Sequence, residues 1–157
     1  MIQSESDSEE IRKKARLRLL GLLQRRSYTE YQLRDKLAKS GYVDTVIDDA
    51  IAYVADLHLI DDSKYCRDYI TYSSERKSRR RIRADLRQKG VPVDIIEEAF
   101  DSVLRDGDLA DEEQLIRRLM AKRHYDPETA TFEDIQKMKA YLYGKGFDPD
   151  TIGQCIK

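Results

Sequence analysis

Residues 82–96 read "IRADLRQKGVPVDII", and the same pattern stands at two other places in the chain. "LRDKLAKSGYVDTVI" from Leu33 and "MKAYLYGKGFDPDTI" from Met138 align with it without a gap. Leu33, Ile82 and Met138 open the three copies. Leu37, Leu86 and Leu142 follow four residues later, and Gly41, Gly90 and Gly146 four after that. Ile47, Ile96 and Ile152 close them. An apolar pair at i, i+4 lies on one face of a helix. A glycine one turn further on suits a helix C-terminus, where a left-handed residue ends the hydrogen-bond ladder. Thr29, Ser78 and Asp134 stand four residues before the opening positions and are read as N-caps, whose side-chain oxygens satisfy the first free N–H groups. Each copy therefore predicts a short helix of roughly ten residues, a glycine turn and a second helix.

Outward from these copies the pattern stays helical. "IRKKARLRLLGLLQRR", "DDSKYCRDYITYSSE" and "DEEQLIRRLMAKRH" precede them, and "TVIDDAIAYVADL", "DIIEEAFDSVL" and "DTIGQCIK" close them. With only 7 Gly and 3 Pro in 157 residues, there is little to break long helices. The expected fold is all-α: three tandem three-helix, helix-turn-helix-like repeats that bury a core between neighbours and form an elongated, curved molecule. The expected divisions are a disordered acidic tail at 1–10, then repeats at 11–59, 60–107 and 108–157.

Charge is distributed unevenly behind a net value of −1. "SERKSRRRIRADLRQKG", residues 74–90, holds eight basic and two acidic side chains, residues 11–26 hold seven basic and no acidic ones, and residues 94–113 hold nine acids and one arginine. On a helical wheel Arg79, Arg80, Arg83 and Arg87 form one stripe beside the core positions Ile82 and Leu86, while Arg81 points elsewhere. The repeat supplies a control. Where the second copy has Arg79, Arg83 and Arg87, the first has Glu30, Arg34 and Ala38 and the third has Ile135, Lys139 and Tyr143. The fold does not demand the stripe. Arginine forks pair bidentately with phosphates and carboxylates, so the stripe, with Lys89, is the leading candidate for binding a partner or nucleic acid. Arg12, Lys13, Lys14, Arg16 and Arg18 form the second basic run, and Arg34 stands with them in the first unit.

Other chemistry is sparse. Tyr65, Tyr69 and Tyr72 sit at helical spacing and are read as core residues with their hydroxyls at the surface. Asp61 and Asp62 are read as caps of the next helix. Asp106, Asp108, Asp111, Glu112 and Glu113 are read as an exposed connection and helix N-terminal charges. His58 and His124 have no metal-ligand spacing, and "GKG" at 144–146 lacks the strand and further glycines of a phosphate loop. Cys66 and Cys155 are expected as buried free thiols in a reducing, cytoplasmic setting. No apolar run spans a bilayer. No catalytic set, metal or cofactor is predicted, and a monomer is the expected state.

"LIDDSKYCRDYITYSSERKSRRRIRADLRQKGV" resembles the RecX family, bacterial regulators of the RecA recombinase. The likeness lies in Leu59–Asp62, then Tyr65 and Tyr69, Arg80-Arg81-Ile82 and "LRQKGV". "RLLGLLQRRSYTEYQLRDKLAKSGY" and "YLYGKGF" are similar to the family's first and third units. Two places depart from it: Lys77-Ser78 stands before the double arginine, and Tyr143-Gly144-Lys145 replaces an arginine pair. The resemblance implies three tandem three-helix units and a protein that lies in the groove of the RecA–DNA filament. It also implies limits on filament growth, strand exchange and ATPase, in DNA repair and the SOS response. The residues leave two rivals: a DNA-binding helix-turn-helix-like protein acting without a recombinase, and a general helical-repeat adaptor.

Overall fold

The computed structural model describes residues 2–156, with side chains from residue 7 to residue 156. Among the described residues the chain is helical, with no strand: α1 (Ile2–Arg25), α2 (Glu30–Lys39), α3 (Asp44–Asp56), α4 (Asp62–Ser73), α5 (Arg79–Gln88), α6 (Val93–Arg105), α7 (Glu112–Lys122), α8 (Phe132–Gly144) and α9 (Pro149–Cys155). They group as α1–α3, α4–α6 and α7–α9.

Each group has its own apolar core. Leu19, Leu33, Leu37, Ile47, Ile51 and Val54 fill the first. Ile70, Ile82, Leu86, Ile96, Phe100 and Val103 fill the second. Ile116, Met138, Leu142, Phe147 and Ile152 fill the third. Fully burying a side chain such as Leu86 contributes about 1.5–3 kcal/mol. This corrects the expectation of a core between neighbours. The inward positions of each copy turn toward the helices of their own group, because α1 packs on α3 and α4 on α6. Ile60 packs on the first core and Leu109 on the second.

The junctions between groups are polar, and the two repeat each other. The Thr29 hydroxyl, which caps α2, donates to the Lys89 carbonyl at 2.7 Å. The Ser78 hydroxyl, which caps α5, donates to the Lys145 carbonyl at 3.4 Å. The Glu30 N–H donates to Asp62 at 3.0 Å, and the Arg79 N–H donates to Glu112. The middle helices α2 and α5 thus seat their N-termini on the glycine turn and first helix of the next unit. Gly41, Gly90 and Gly146 all have positive φ, at 91°, 86° and 97°. At Gly146 a Cβ would also stand 2.7 Å from the Ser78 hydroxyl.

Three further differences from the sequence reading have plain causes. α1 begins at Ile2, so residues 2–10 continue it where a disordered tail was expected. No Pro or Gly interrupts residues 2–20, and acids suit the positive end of a helix dipole. Residues 7–14 are all exposed, ahead of the first buried residue, Ala15. α8 begins three residues earlier than expected. Its cap is Thr131, and Asp134 is the reciprocal member of a capping box. Cys66 is buried, whereas Cys155 is only partly so. Burial pushes the Cys66 thiol up to about 11.

Candidate partner interface

α5 is a ten-residue helix with Ile82 and Leu86 buried, which turns Arg79, Arg80, Arg83 and Arg87 together toward one side. They line a cleft of about 610 Å³ at the junction of the second and third units. Its other wall is Gly146 and Asp148 of the α8–α9 turn and Thr151 of α9, with Glu112 also lining it. The stripe read from the wheel is therefore one wall of a cleft shared by two units.

The four arginines are not equivalent. Arg83 pairs bidentately with Glu97 of α6, at 2.7 and 3.2 Å, and its guanidinium lies 4.3 Å over the Phe100 ring. Arg34, at the matching position in the first unit, pairs with Asp48 at 2.7 Å and with Glu30. Both are bonds between the second and third helices of their own units. The sequence contained the signal. Asp48 and Glu97 each follow the closing isoleucine, and Gly153 stands there in the third copy, beside Lys139. Arg16 is committed in the same way, bidentate to Asp49 at 2.9 and 2.8 Å and 4.8 Å from the Tyr53 ring centre.

Arg79, Arg80 and Arg87 enter no ion pair among the described residues. The Arg79 Nε is buried and has no hydrogen-bond partner. Glu112 takes the Arg79 backbone N–H, and Asp148 caps α9. Neither acid stands within ion-pair distance of the guanidinium groups.

The remaining candidates lie apart. Lys89 ends α5, with its ammonium 5.4 Å from the Tyr69 ring. Arg12 and Lys13 sit on the exposed, projecting part of α1. Arg81 lines a second basic cleft on the other side of the first turn of α5, with Arg76, Lys77, Tyr141 and Lys145, which the wheel alone did not assemble. Asp85 tempers that side, accepting from Lys77 at 2.8 Å and from the Tyr69 hydroxyl at 2.8 Å. Burial alone would raise its pKa, but these bonds outweigh it and hold the carboxyl below the ordinary range.

Other expectations resolve simply. Tyr65 and Tyr69 are half-buried against the second core, and Tyr72 is 64% exposed. Asp61 caps α4, whereas Asp62 reaches back to Glu30. His58 and His124 hold left-handed positions after α3 and α7, with φ of 58° and 59°. Histidine is among the side chains that tolerate that region. Gly144-Lys145-Gly146 ends α8, and the Lys145 carbonyl serves Ser78. Among the described residues no trio of His, Cys, Asp or Glu gathers as a metal site, and no helix is long and apolar enough to cross a membrane.

Comparison with known proteins covers all three units. Residues 15–53 match the first three-helix domain of RecX, 61–99 the second and 111–156 the third. The regulatory protein RecX of Prosthecochloris aestuarii is 33% identical over 156 residues, covering 96% of this chain and 95% of that one. The regulatory protein RecX of Caldanaerobacter subterraneus subsp. tengcongensis is 30% identical over 145 residues, covering 92% and 70%. The crystal structure of RecX from Lactobacillus salivarius superposes with a TM-score of 0.74 at 24% identity, covering 94% and 96%, and shares the fold. With three consecutive domain matches and relatives at this identity over nearly its whole length, the chain belongs to the RecX family, a family of regulatory proteins rather than enzymes.

Proposed function

We propose that this protein regulates the RecA recombinase by binding in the groove of the RecA–DNA filament, where it limits filament growth, strand exchange and ATPase during DNA repair and the SOS response. It acts in the cytoplasm as a monomer, without a cofactor. The observation that carries the reading is the division among the arginines. Arg34 and Arg83 are used inside their own units, whereas Arg79, Arg80 and Arg87 are gathered on one wall of a cleft and left without acidic partners. Three unpaired guanidinium groups on one wall suit an anionic surface, whether filament carboxylates or DNA phosphates. Lys89, and Arg12 and Lys13 on α1, extend the contact.

The test is binding of the labelled protein to three targets at two salt concentrations: RecA filament on single-stranded DNA with an ATP analogue, free RecA, and the same DNA bare. The expected result is much tighter binding to the filament, with inhibition of RecA ATPase that Arg80→Glu or Arg87→Glu abolishes. Equal affinity for filament and bare DNA overturns the reading in favour of a DNA-binding protein that needs no recombinase.

A further inference from the structure

The two junctions have the same hydrogen bonds but different fillings. In the first, Tyr31 packs so closely on Gly90 that a Cβ there would overlap the tyrosine ring and its Cβ. The residue matching Tyr31 in the second unit is Arg80. It does not take the place of Tyr31, since the atoms nearest a Cβ on Gly146 belong to Ser78 and Arg81. The space left is the cleft of about 610 Å³. Donor-bearing residues stand on both walls. Arg79, Arg80 and Arg87 line it from α5 and Thr151 from α9, beside the carboxylates of Glu112 and Asp148; the Arg79 Nε itself is buried and has no hydrogen-bond partner.

We propose that this open junction is a binding site for a phosphate group, held between Arg79, Arg80 and Arg87 of the second unit and Thr151 of the third, and that its occupancy fixes the third unit against the second. The inference rests on the reading of the α5 arginines as the partner surface, and it names the chemistry they take. A tetrahedral phosphate presents oxygens in more directions than a planar carboxylate, so one group meets guanidinium donors on one wall and a hydroxyl on the other. A ligand that bonds both walls favours the arrangement in which they stand at this separation. Two sources offer the group, a nucleic-acid backbone and a free nucleotide.

The experiment uses the full chain without recombinase. A fluorescent single-stranded oligothymidylate is titrated by anisotropy and competed with ATP, pyrophosphate and an uncharged methylphosphonate oligomer. Amide exchange of residues 146–151 is followed with and without ligand. The expected result is binding with a log–log salt slope of about −0.7, from the one phosphate the site holds. No competition by the methylphosphonate and slower exchange in the turn are expected with it. Arg80→Tyr copies the plug of the first junction, and Thr151→Val removes the far-wall donor without changing charge. Each weakens binding by about tenfold or more with helicity retained. ATP competing as well as unlabelled oligomer assigns a free nucleotide, and a preference for the oligomer assigns a strand, both in support. Wild-type affinity in Arg80→Tyr and Thr151→Val, or no binding of any phosphate ligand, overturns the site. Either of those outcomes alongside intact filament inhibition would overturn this site alone and leave the regulator reading standing.

Discussion

Gly90 is the position where backbone conformation and the packing of two units make one joint demand, and Gly41 separates the two. Both have positive φ, and around Gly41 a Cβ would meet nothing within 4 Å. Gly41→Ala therefore carries backbone strain alone, about 1–2 kcal/mol. Gly90→Ala carries the same strain and a steric overlap with Tyr31, which adds about 1–3 kcal/mol for overpacking. The overlap includes the Tyr31 Cβ as well as ring atoms, so a rotamer change of the tyrosine does not relieve it, and α2 must withdraw from the turn. Withdrawal also breaks the bonds from Thr29 to Lys89 and from Glu30 to Asp62. Tyr31→Gly removes the three closest overlapping atoms, whereas Tyr31→Ala leaves the Cβ. The expected outcome is a larger loss for Gly90→Ala than for Gly41→Ala, by at least about 1 kcal/mol, that disappears in the Tyr31→Gly background. Urea unfolding followed by circular dichroism measures the sum. Amide exchange separates the units, which have their own cores and need not open together. Equal losses at Gly41 and Gly90, or an extra loss that persists beside Tyr31→Gly, refute the account of the junction.

The Arg83–Glu97 pair is about half exposed, so a double-mutant cycle with Arg83→Ala and Glu97→Ala is expected to give a coupling of about 0.5 kcal/mol; a coupling above about 2 kcal/mol would show that solvent screens the pair far less than its exposure implies. The folded pKa of Asp85 is depressed, so its contribution is present above the unfolded value of about 3.9 and is lost as pH falls through the lower folded value. Asp85→Asn should therefore be less stable at neutral pH yet lose less on acidification, and equal acid sensitivity by thermal melting would count against the bonds from Lys77 and Tyr69. At pH 8 a thiol reagent should label Cys155 in the native protein and leave Cys66 untouched until denaturant is added, because burial holds the Cys66 thiol at about 11; prompt labelling of both thiols contradicts its burial.

Much of this was legible in the chain because the code for each unit is local. Apolar residues at i, i+4, a capping hydroxyl and a glycine turn are short-range signals, and a threefold copy of them makes the all-helical repeat hard to mistake. The stripe of Arg79, Arg80, Arg83 and Arg87 was legible for the same reason, since one helix sets their directions. Where signals competed the reading slipped. Thr131 and Asp134 are both good caps, and the copy alignment favoured Asp134, although the capping box starts the helix at Thr131.

Local pattern thus determined the three units, the apolar positions within each and the face on which the arginines stand, but not that each unit closes its own core. Tertiary structure decided which arginines are available, because an ion pair depends on the distance to another helix: Glu97 is fourteen residues from Arg83, and Asp49 is thirty-three from Arg16. It also decided how the units meet. Thr29 and Lys89 are sixty residues apart, and Ser78 and Lys145 sixty-seven. Contacts at such separations leave no periodicity in a single chain. That one junction is plugged by Tyr31 while the other stays open and lined with arginine is a property of packed surfaces, and it exists only once the units are in place.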